Sequence, residues 1–485
     1  MVEKHGKGRV NQLGAGLLRA LAAIVVLSSA LSCSSSNDGG TGPGPDPDPD
    51  DQVLGPVISL DQGTRYQTIS GWEATAQAAQ HLPGFSQVAG AVFDMAVNDL
   101  GITRLRVEAY SGIENDRDYW SETAKVNTNL SLWGCTAYST INDNTDPFSI
   151  NSSRFHFAQL DDAIDKVVIP MKQRLEARGE RLFVNVTYVA FVDNLCAGRT
   201  YIHNQNPEEY AEFVLATFQH IRSRYGFSPD SWELILEPSQ SKWSASNLAQ
   251  SAVAAANRLR AAGFTPRYIA PSFAFIQNTF PYFDQMVGVN GFQQTLTELS
   301  YHRYGGASTA QLQQFATRAS QLGINTSMLE HIGSDHNTLH NDLTIANVSS
   351  WQQYALAYNE PDDGTKYIRI DDSNPGQPRA VLTNRARFLR QYFRYVRPGA
   401  VRIRATSADG AFNPAAFINS NGKYAVVIKA DRGGTVSLQW LPAGTYGVTY
   451  ALADRSETAA DIQLAANRTL NATIPGAGIL TVYRK

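Results

Sequence analysis

Two stretches of this chain end in a glutamate that chemistry could use. Ser231-Trp-Glu-Leu-Ile-Leu-Glu237 is stopped at once by Pro238, and further along Thr326-Ser-Met-Leu-Glu330 has the same form. Each reads as a short, largely apolar strand that delivers a carboxylate at its end. Parallel strands buried on both faces look like such runs, and in a (β/α)8 barrel the reacting groups sit where the strands end. Two carboxylates flanking one bond can divide the work into nucleophile and general acid/base, the chemistry that breaks glycosidic bonds.

The elements needed to hold such a pair recur along the chain. Ile102-Thr-Arg-Leu-Arg-Val-Glu-Ala109 alternates as a strand does, with Arg104, Arg106 and Glu108 sharing a side. Phe85 to Leu100 has helical spacing and is closed by Gly101, and Pro207-Glu-Glu opens a helix that runs to about Tyr225. Strands are predicted near residues 70, 105, 185, 235, 269, 300, 328 and 368, with helices between them, one of these over Leu343 to Tyr358. Such alternation predicts a (β/α)8 TIM barrel over 69–398. Tyr110 to Arg154 is too long and polar for an ordinary connection and reads as an elaborated loop at the active face. After Arg397-Pro-Gly399 the texture becomes short strands parted by Gly, Asn and Pro turns. An antiparallel β-sandwich is therefore expected over 399–485, joined by an N-terminal strand in 56–68.

Residues 1–32 have a basic start, then an apolar run from Leu17 to Leu31 that is short for a membrane span. This is the form of a signal peptide. Ala30-Leu-Ser-Cys33 is close to a bacterial lipobox, which makes Cys33 a candidate lipidation site and predicts an exported, membrane-anchored protein. Residues 33–55 are rich in Ser, Gly, Pro and Asp and read as a disordered tether. The two remaining cysteines, Cys135 and Cys196, fall in polar loops and are expected to bridge in an oxidising compartment. A formal charge of −3 without a basic stripe argues against nucleic-acid binding. His331, Asp335, His336 and His340 are loosely spaced, with no matching Cys or acidic motif, so no metal and no cofactor is expected. No Gly-x-Ser-x-Gly elbow is present.

The leading strand into Ile69-Ser-Gly-Trp72, the βα units, the passage Phe388-Leu-Arg-Gln-Tyr-Phe-Arg-Tyr-Val-Arg-Pro-Gly-Ala-Val-Arg402 and the closing β-sandwich resemble glycoside hydrolase family 30. That resemblance implies a retaining glycosidase, with its acid/base after strand four and its nucleophile after strand seven. On the strand count above these are Glu237 and Glu330. The resemblance also implies an arginine beside the nucleophile, a place that Arg106 fits; an ion pair of Arg106 with Glu108 or Glu73 is the alternative. His302 and Tyr304 share a face of the sixth strand and are candidates to hydrogen-bond the nucleophile or the sugar. Trp72 and Glu73 follow the first strand, where an aromatic can floor a sugar site, and Asn185 and Tyr188 close the third.

One departure stands out. Leu236 occupies the place where relatives carry an asparagine that binds the sugar 2-hydroxyl. The expected activity is hydrolysis of a β-linked polysaccharide or oligosaccharide by a chain that is a monomer. A non-catalytic glycan-binding lipoprotein on a degenerate barrel is the alternative. Sugar, linkage, and endo or exo action stay open.

Overall fold

A computed structural model describes residues 52–124, 137–191, 203–361, 363–374 and 376–485. The predicted leader and most of the predicted tether, with Cys33, Cys135 and Cys196, lie outside the described residues. No helix among the described residues is long and apolar enough to cross a membrane.

After β1 (Val57–Thr68), the barrel is built from β2 (Gly71–Thr75), β3 (Arg104–Tyr110), β4 (Phe183–Val189), β5 (Ser231–Glu233), β6 (Arg267–Phe275), β7 (Glu298–Tyr304), β8 (Asn325–Glu330) and β9 (Val348–Tyr358). These eight are parallel neighbours in that order, and β9 closes the ring by pairing with both β8 and β2. The barrel is thus a TIM barrel, and its residues alternate as the pleat requires. In β2, for example, Trp72 points to the surrounding helices and Glu73 to the interior.

Closure by β9 corrects the prediction of a helix over Leu343 to Tyr358. Only His336–Thr344 is helical, and the residues from Val348 onward extend into the eighth strand. The predicted eighth strand is instead β10 (Lys366–Asp371), which pairs with the far end of β9 and with β11 (Arg379–Leu382) outside the ring. The reason is chemical. Ser350 bonds a buried carboxylate inside the barrel and Tyr354 lines its mouth, so the inward face of β9 is polar and shows no apolar run.

The helices that brace the ring are fixed by local signals. Asn206 Oδ1 accepts from the amide of Glu208 (3.2 Å) at the start of helix Pro207–Tyr225, and Ser308 forms a capping box with Gln311 ahead of Thr309–Leu322. Gly101 closes its helix at φ 100°, and a Cβ there would lie 2.6 Å from the carbonyl oxygen of Phe393.

The remaining strands are β12 (Val401–Ser407), β13 (Phe412–Ile418), β14 (Tyr424–Ala430), β15 (Gly434–Gln439), β16 (Gly444–Ala451), β17 (Ser456–Thr458), β18 (Ile462–Leu464), β19 (Leu470–Ile474) and β20 (Gly478–Arg484). With β1 they form a ten-stranded, almost wholly antiparallel sheet folded into a sandwich around Ile58, Val426, Val436, Leu438, Ile474 and Val482. β1 runs antiparallel to β12 and parallel to β15, so the chain enters through the sandwich before starting the barrel. The helix Asn384–Phe393 joins the two layers. Thr481 donates to the carbonyl of Gln391 (3.0 Å), and Tyr395 packs on Tyr483 with ring centroids 4.3 Å apart.

Candidate active site

The C-terminal ends of the barrel strands surround a cavity of about 550 Å3. Glu330 is the last residue of β8, the seventh barrel strand, and Glu237 follows β5, the fourth. Regular pairing of β5 stops at Glu233. Leu234 then bonds the carbonyl of Ile269 and Leu236 that of Tyr188, so the backbone stays pinned on both sides up to the glutamate. Glu237 itself is left-handed at φ 53°, a conformation that a non-glycine residue adopts only when its surroundings over-determine it. This turn leaves both Leu236 and Glu237 lining the cavity.

Three groups meet here. Acceptor atoms of Glu237, His302 and Glu330 all lie within 4.8 Å of one another, and all three residues are buried. Arg106 Nη2 donates to Glu330 Oε2 in a short charge-assisted bond, and its Nη1 donates to the carbonyl of Leu329 (3.2 Å). The Tyr304 hydroxyl donates to Glu330 Oε1 at 2.9 Å. His302 Nδ1 sits 2.9 Å from Glu237 Oε1. Each glutamate therefore has its own holder. Arginine and tyrosine hold one, and histidine holds the other.

The electrostatics separate Glu330 from its neighbours. Burial pushes its carboxyl up, but the Arg106 charge, the His302 ring and the bonds from Arg106 and Tyr304 outweigh this, leaving it below the usual carboxylate range. Glu108, also on the cavity wall, goes the other way: burial dominates the pull of Arg106 and raises it. Tyr110 and Gln77 hydrogen-bond its two oxygens at 3.0 and 3.3 Å. Tyr304 is raised by burial and by Glu330, so it is a lasting proton donor to that carboxylate.

The arrangement keeps Arg106, His302, Tyr304, Glu237 and Glu330 together and sets four other candidates apart. Trp72 is fully buried between the barrel and helix Asn384–Phe393, donating to the carbonyl of Val396 (2.7 Å) and stacking on Phe393 at 4.5 Å. It cannot floor a sugar site, because in β2 it faces away from the barrel interior. Glu73 does face inward but lies below the cavity, where it pairs with Arg104 at 2.6 Å. Asn185 belongs to the same buried layer, donating to Glu233 (3.1 Å) and accepting from Ser231 (2.8 Å). Arg104 also reaches Glu298 (3.4 Å), and the Ser272 hydroxyl donates to Glu233 (2.6 Å), so this layer is a polar floor rather than a binding surface. Tyr188 sits one residue out of phase with the interior of β4, its hydroxyl 2.8 Å from His203 Nδ1.

The cavity wall also contains residues that sequence reasoning did not single out as site residues: Gln77, Tyr110, Tyr138, Phe191, Phe275 and Tyr354. Tyr110 could have been found, since it continues the alternation of Arg106 and Glu108. Tyr354 was hidden by the helix prediction, and Tyr138 and Phe191 sit in irregular segments without a pattern.

The fold, a TIM barrel carrying a β-sandwich, is shared with a group of solved structures. The catalytic domain of GH30 xylanase C from Talaromyces cellulolyticus superposes with TM-score 0.63 at 17% identity, covering 88% of this chain and 100% of that one. A GH30 endoxylanase from Clostridium papyrosolvens gives TM-score 0.60 at 15% identity over 88% and 99% of the two chains. An endo-β1,6-glucanase gives 0.60 at 14% over 89% and 94%. This chain shares the fold of these enzymes over 88–89% of its length. No family model and no curated protein sequence matches it, so the likeness is one of fold.

Proposed function

We propose that this protein is a retaining glycoside hydrolase that cleaves a β-linked polysaccharide or oligosaccharide. The observation that carries the reading is that one carboxylate oxygen of Glu237 lies within 4.8 Å of one of Glu330, with Glu330 held ionised by Arg106. Retaining enzymes place their carboxyls about 5–5.5 Å apart, whereas inverting ones leave roughly 6.5–9.5 Å for a water. The GH30 xylanases and the glucanase that share the fold support a carbohydrate substrate.

In this mechanism Glu330 attacks the anomeric carbon while Glu237 protonates the departing glycosidic oxygen, and a covalent glycosyl-enzyme forms. Glu237, now a carboxylate, takes a proton from water, which displaces Glu330 with a second inversion. Arg106 and Tyr304 hold the nucleophile in its charged form and in one orientation. His302 fixes Glu237 at the leaving-group side. Tyr110, Tyr138, Phe191, Phe275 and Tyr354 supply the aromatic surface against which sugar faces pack.

Export with lipidation at Cys33, a Cys135–Cys196 bridge and a monomeric state complete the proposal. The leader-like start, the lipobox-like Ala30-Leu-Ser-Cys33 and the Ser/Gly/Pro/Asp tether support the first of these.

The test is hydrolysis across a panel of β-linked glycans and aryl glycosides, with Glu237→Ala and Glu330→Ala in parallel. Loss of turnover in both variants, with azide restoring Glu330→Ala as an inverted glycosyl azide, is the expected outcome. Binding without turnover by the unmodified protein would overturn it.

A further inference from the structure

Away from the cavity, a second group of carboxylates is buried with four of its six oxygens lacking a hydrogen-bond partner among the described residues. Asp143 lies on the segment that follows β3, and Glu209 and Glu212 lie three residues apart on helix Pro207–Tyr225, hence on one face. One oxygen from each of the three falls within 4.8 Å of the others. All are buried, Glu212 at 1% exposure.

Acidic groups that meet are common; what distinguishes these is the state of their oxygens. Both Oε1 and Oε2 of Glu212 are buried without a hydrogen-bond partner among the described residues, and so are Glu209 Oε2 and Asp143 Oδ1. The other oxygens are used: the Asn151 amide donates to Asp143 Oδ2 (2.6 Å), and Asn142 Nδ2 to Glu209 Oε1 (3.3 Å). That same Asn142 leaves its side-chain oxygen Oδ1 buried and unpartnered among the described residues. No Lys or Arg among the described residues pairs with the trio. Arg258 is committed to Glu208 (2.6 Å), and His203 to the neighbouring Glu114 (2.7 Å). Burying carboxylates together without a counter-charge is strongly unfavourable. Burial, reinforced by Asp143, Glu209 and Glu114, pushes the Glu212 carboxyl up to about 8.

We propose that Asp143, Glu209 and Glu212, with Asn142 Oδ1, form a divalent-cation site suited to Ca2+. All the available donors are oxygens, and Glu212 can contribute both of its own. Ca2+ takes such hard ligands in six- to eightfold, flexible coordination, with water completing the shell, while Mg2+ demands stricter octahedral geometry. The ion ties the segment bearing Asn142 and Asp143 to the first turns of the helix. Tyr138, which lines the cavity, stands five residues before Asp143 on that segment, so the ion anchors one wall of the candidate active site.

The test is metal content and thermal melting of the full chain, with CaCl2, MgCl2 and EDTA as the only additives. The expected result is about one Ca2+ retained per chain after gel filtration, a melting temperature several degrees lower in EDTA, and its recovery with CaCl2 but not MgCl2. Glu212→Gln and Asp143→Asn should each lower Ca2+ affinity at least tenfold and melt identically in EDTA and CaCl2. Should Glu212→Gln fail to fold, Asp143→Asn carries the comparison. No calcium uptake at millimolar CaCl2, together with a melting temperature indifferent to EDTA, would overturn the site. So would a Glu212→Gln protein that melts above the unmodified one, because a proton would then be the counter-charge. Uptake of Mg2+ in preference to Ca2+ would overturn the assignment to calcium.

Discussion

The Tyr304 hydroxyl donates to Glu330 Oε1 over 2.9 Å from the neighbouring barrel strand. Arg106, from β3 three strands further round the ring, takes the other oxygen. The carboxylate is thereby held from both sides in its charged form. Removing the tyrosine oxygen should therefore weaken catalysis without disturbing the fold. Tyr304→Phe is expected to lower kcat roughly tenfold or more, since a hydrogen bond to a charged group contributes about 1.5–3 kcal/mol. Steady-state kinetics with a melting curve checks this; unchanged kcat would remove Tyr304 from the machinery.

Arg106 sets the pH at which Glu330 titrates. The Glu330 carboxyl is lowered from 4.5 in the folded protein. Its contribution to stability is therefore complete above that value and is lost as pH falls through the folded one. Activity should fade on the acid side over the same interval, because the nucleophile must be ionised. Arg106→Met removes the opposing charge while burial remains, so the acid limb of kcat/KM should move to higher pH. Breaking a buried pair also costs about 3–5 kcal/mol of stability. A pH–rate profile and a denaturant titration of this variant give both numbers, and an unmoved acid limb would contradict the role.

Trp72 contributes packing rather than sugar binding. Trp72→Ala should destabilise the protein by about 3–5 kcal/mol, the usual range for emptying such a core site. KM of the folded fraction should stay as it was. A raised KM at unchanged stability would reinstate Trp72 as a binding residue.

Leu236 presents an apolar side chain to the cavity next to the candidate acid/base. On the proposed mechanism, replacing it with asparagine supplies a donor and acceptor for a sugar 2-hydroxyl beside the acid/base. Hydrogen bonds to that hydroxyl strengthen in the transition state. Leu236→Asn is accordingly expected to raise kcat on substrates bearing a 2-hydroxyl and to leave 2-deoxy analogues unaffected. Parallel kinetics on the two substrate types decides the matter.

The barrel and the neighbourhood of its glutamates were legible because their signals are local. An apolar run ending in Glu-Pro marks the approach to Glu237, and strict alternation in β3 puts Arg106 inside. The eighth strand was not legible, since Ser350 faces a buried polar layer and Tyr354 the cavity, and neither leaves the apolar pattern of a covered strand. Trp72 and Tyr188 were misplaced for a related reason. In short strands a shift of one residue exchanges interior for exterior, and only the pairing of β2 with β3 and of β4 with β5 fixes that phase. The meeting of Asp143 with Glu209 and Glu212 is a tertiary event between distant segments, with no spacing to announce it.

The central claim is double displacement at the Glu237–Glu330 pair, and the anomeric form of the first product tests it most directly. Proton NMR of the reaction mixture, begun as substrate is added, should show the β-anomer of the released reducing sugar first, with the α-anomer growing in only by mutarotation. An α-anomer formed first would mean a single displacement and would contradict the account.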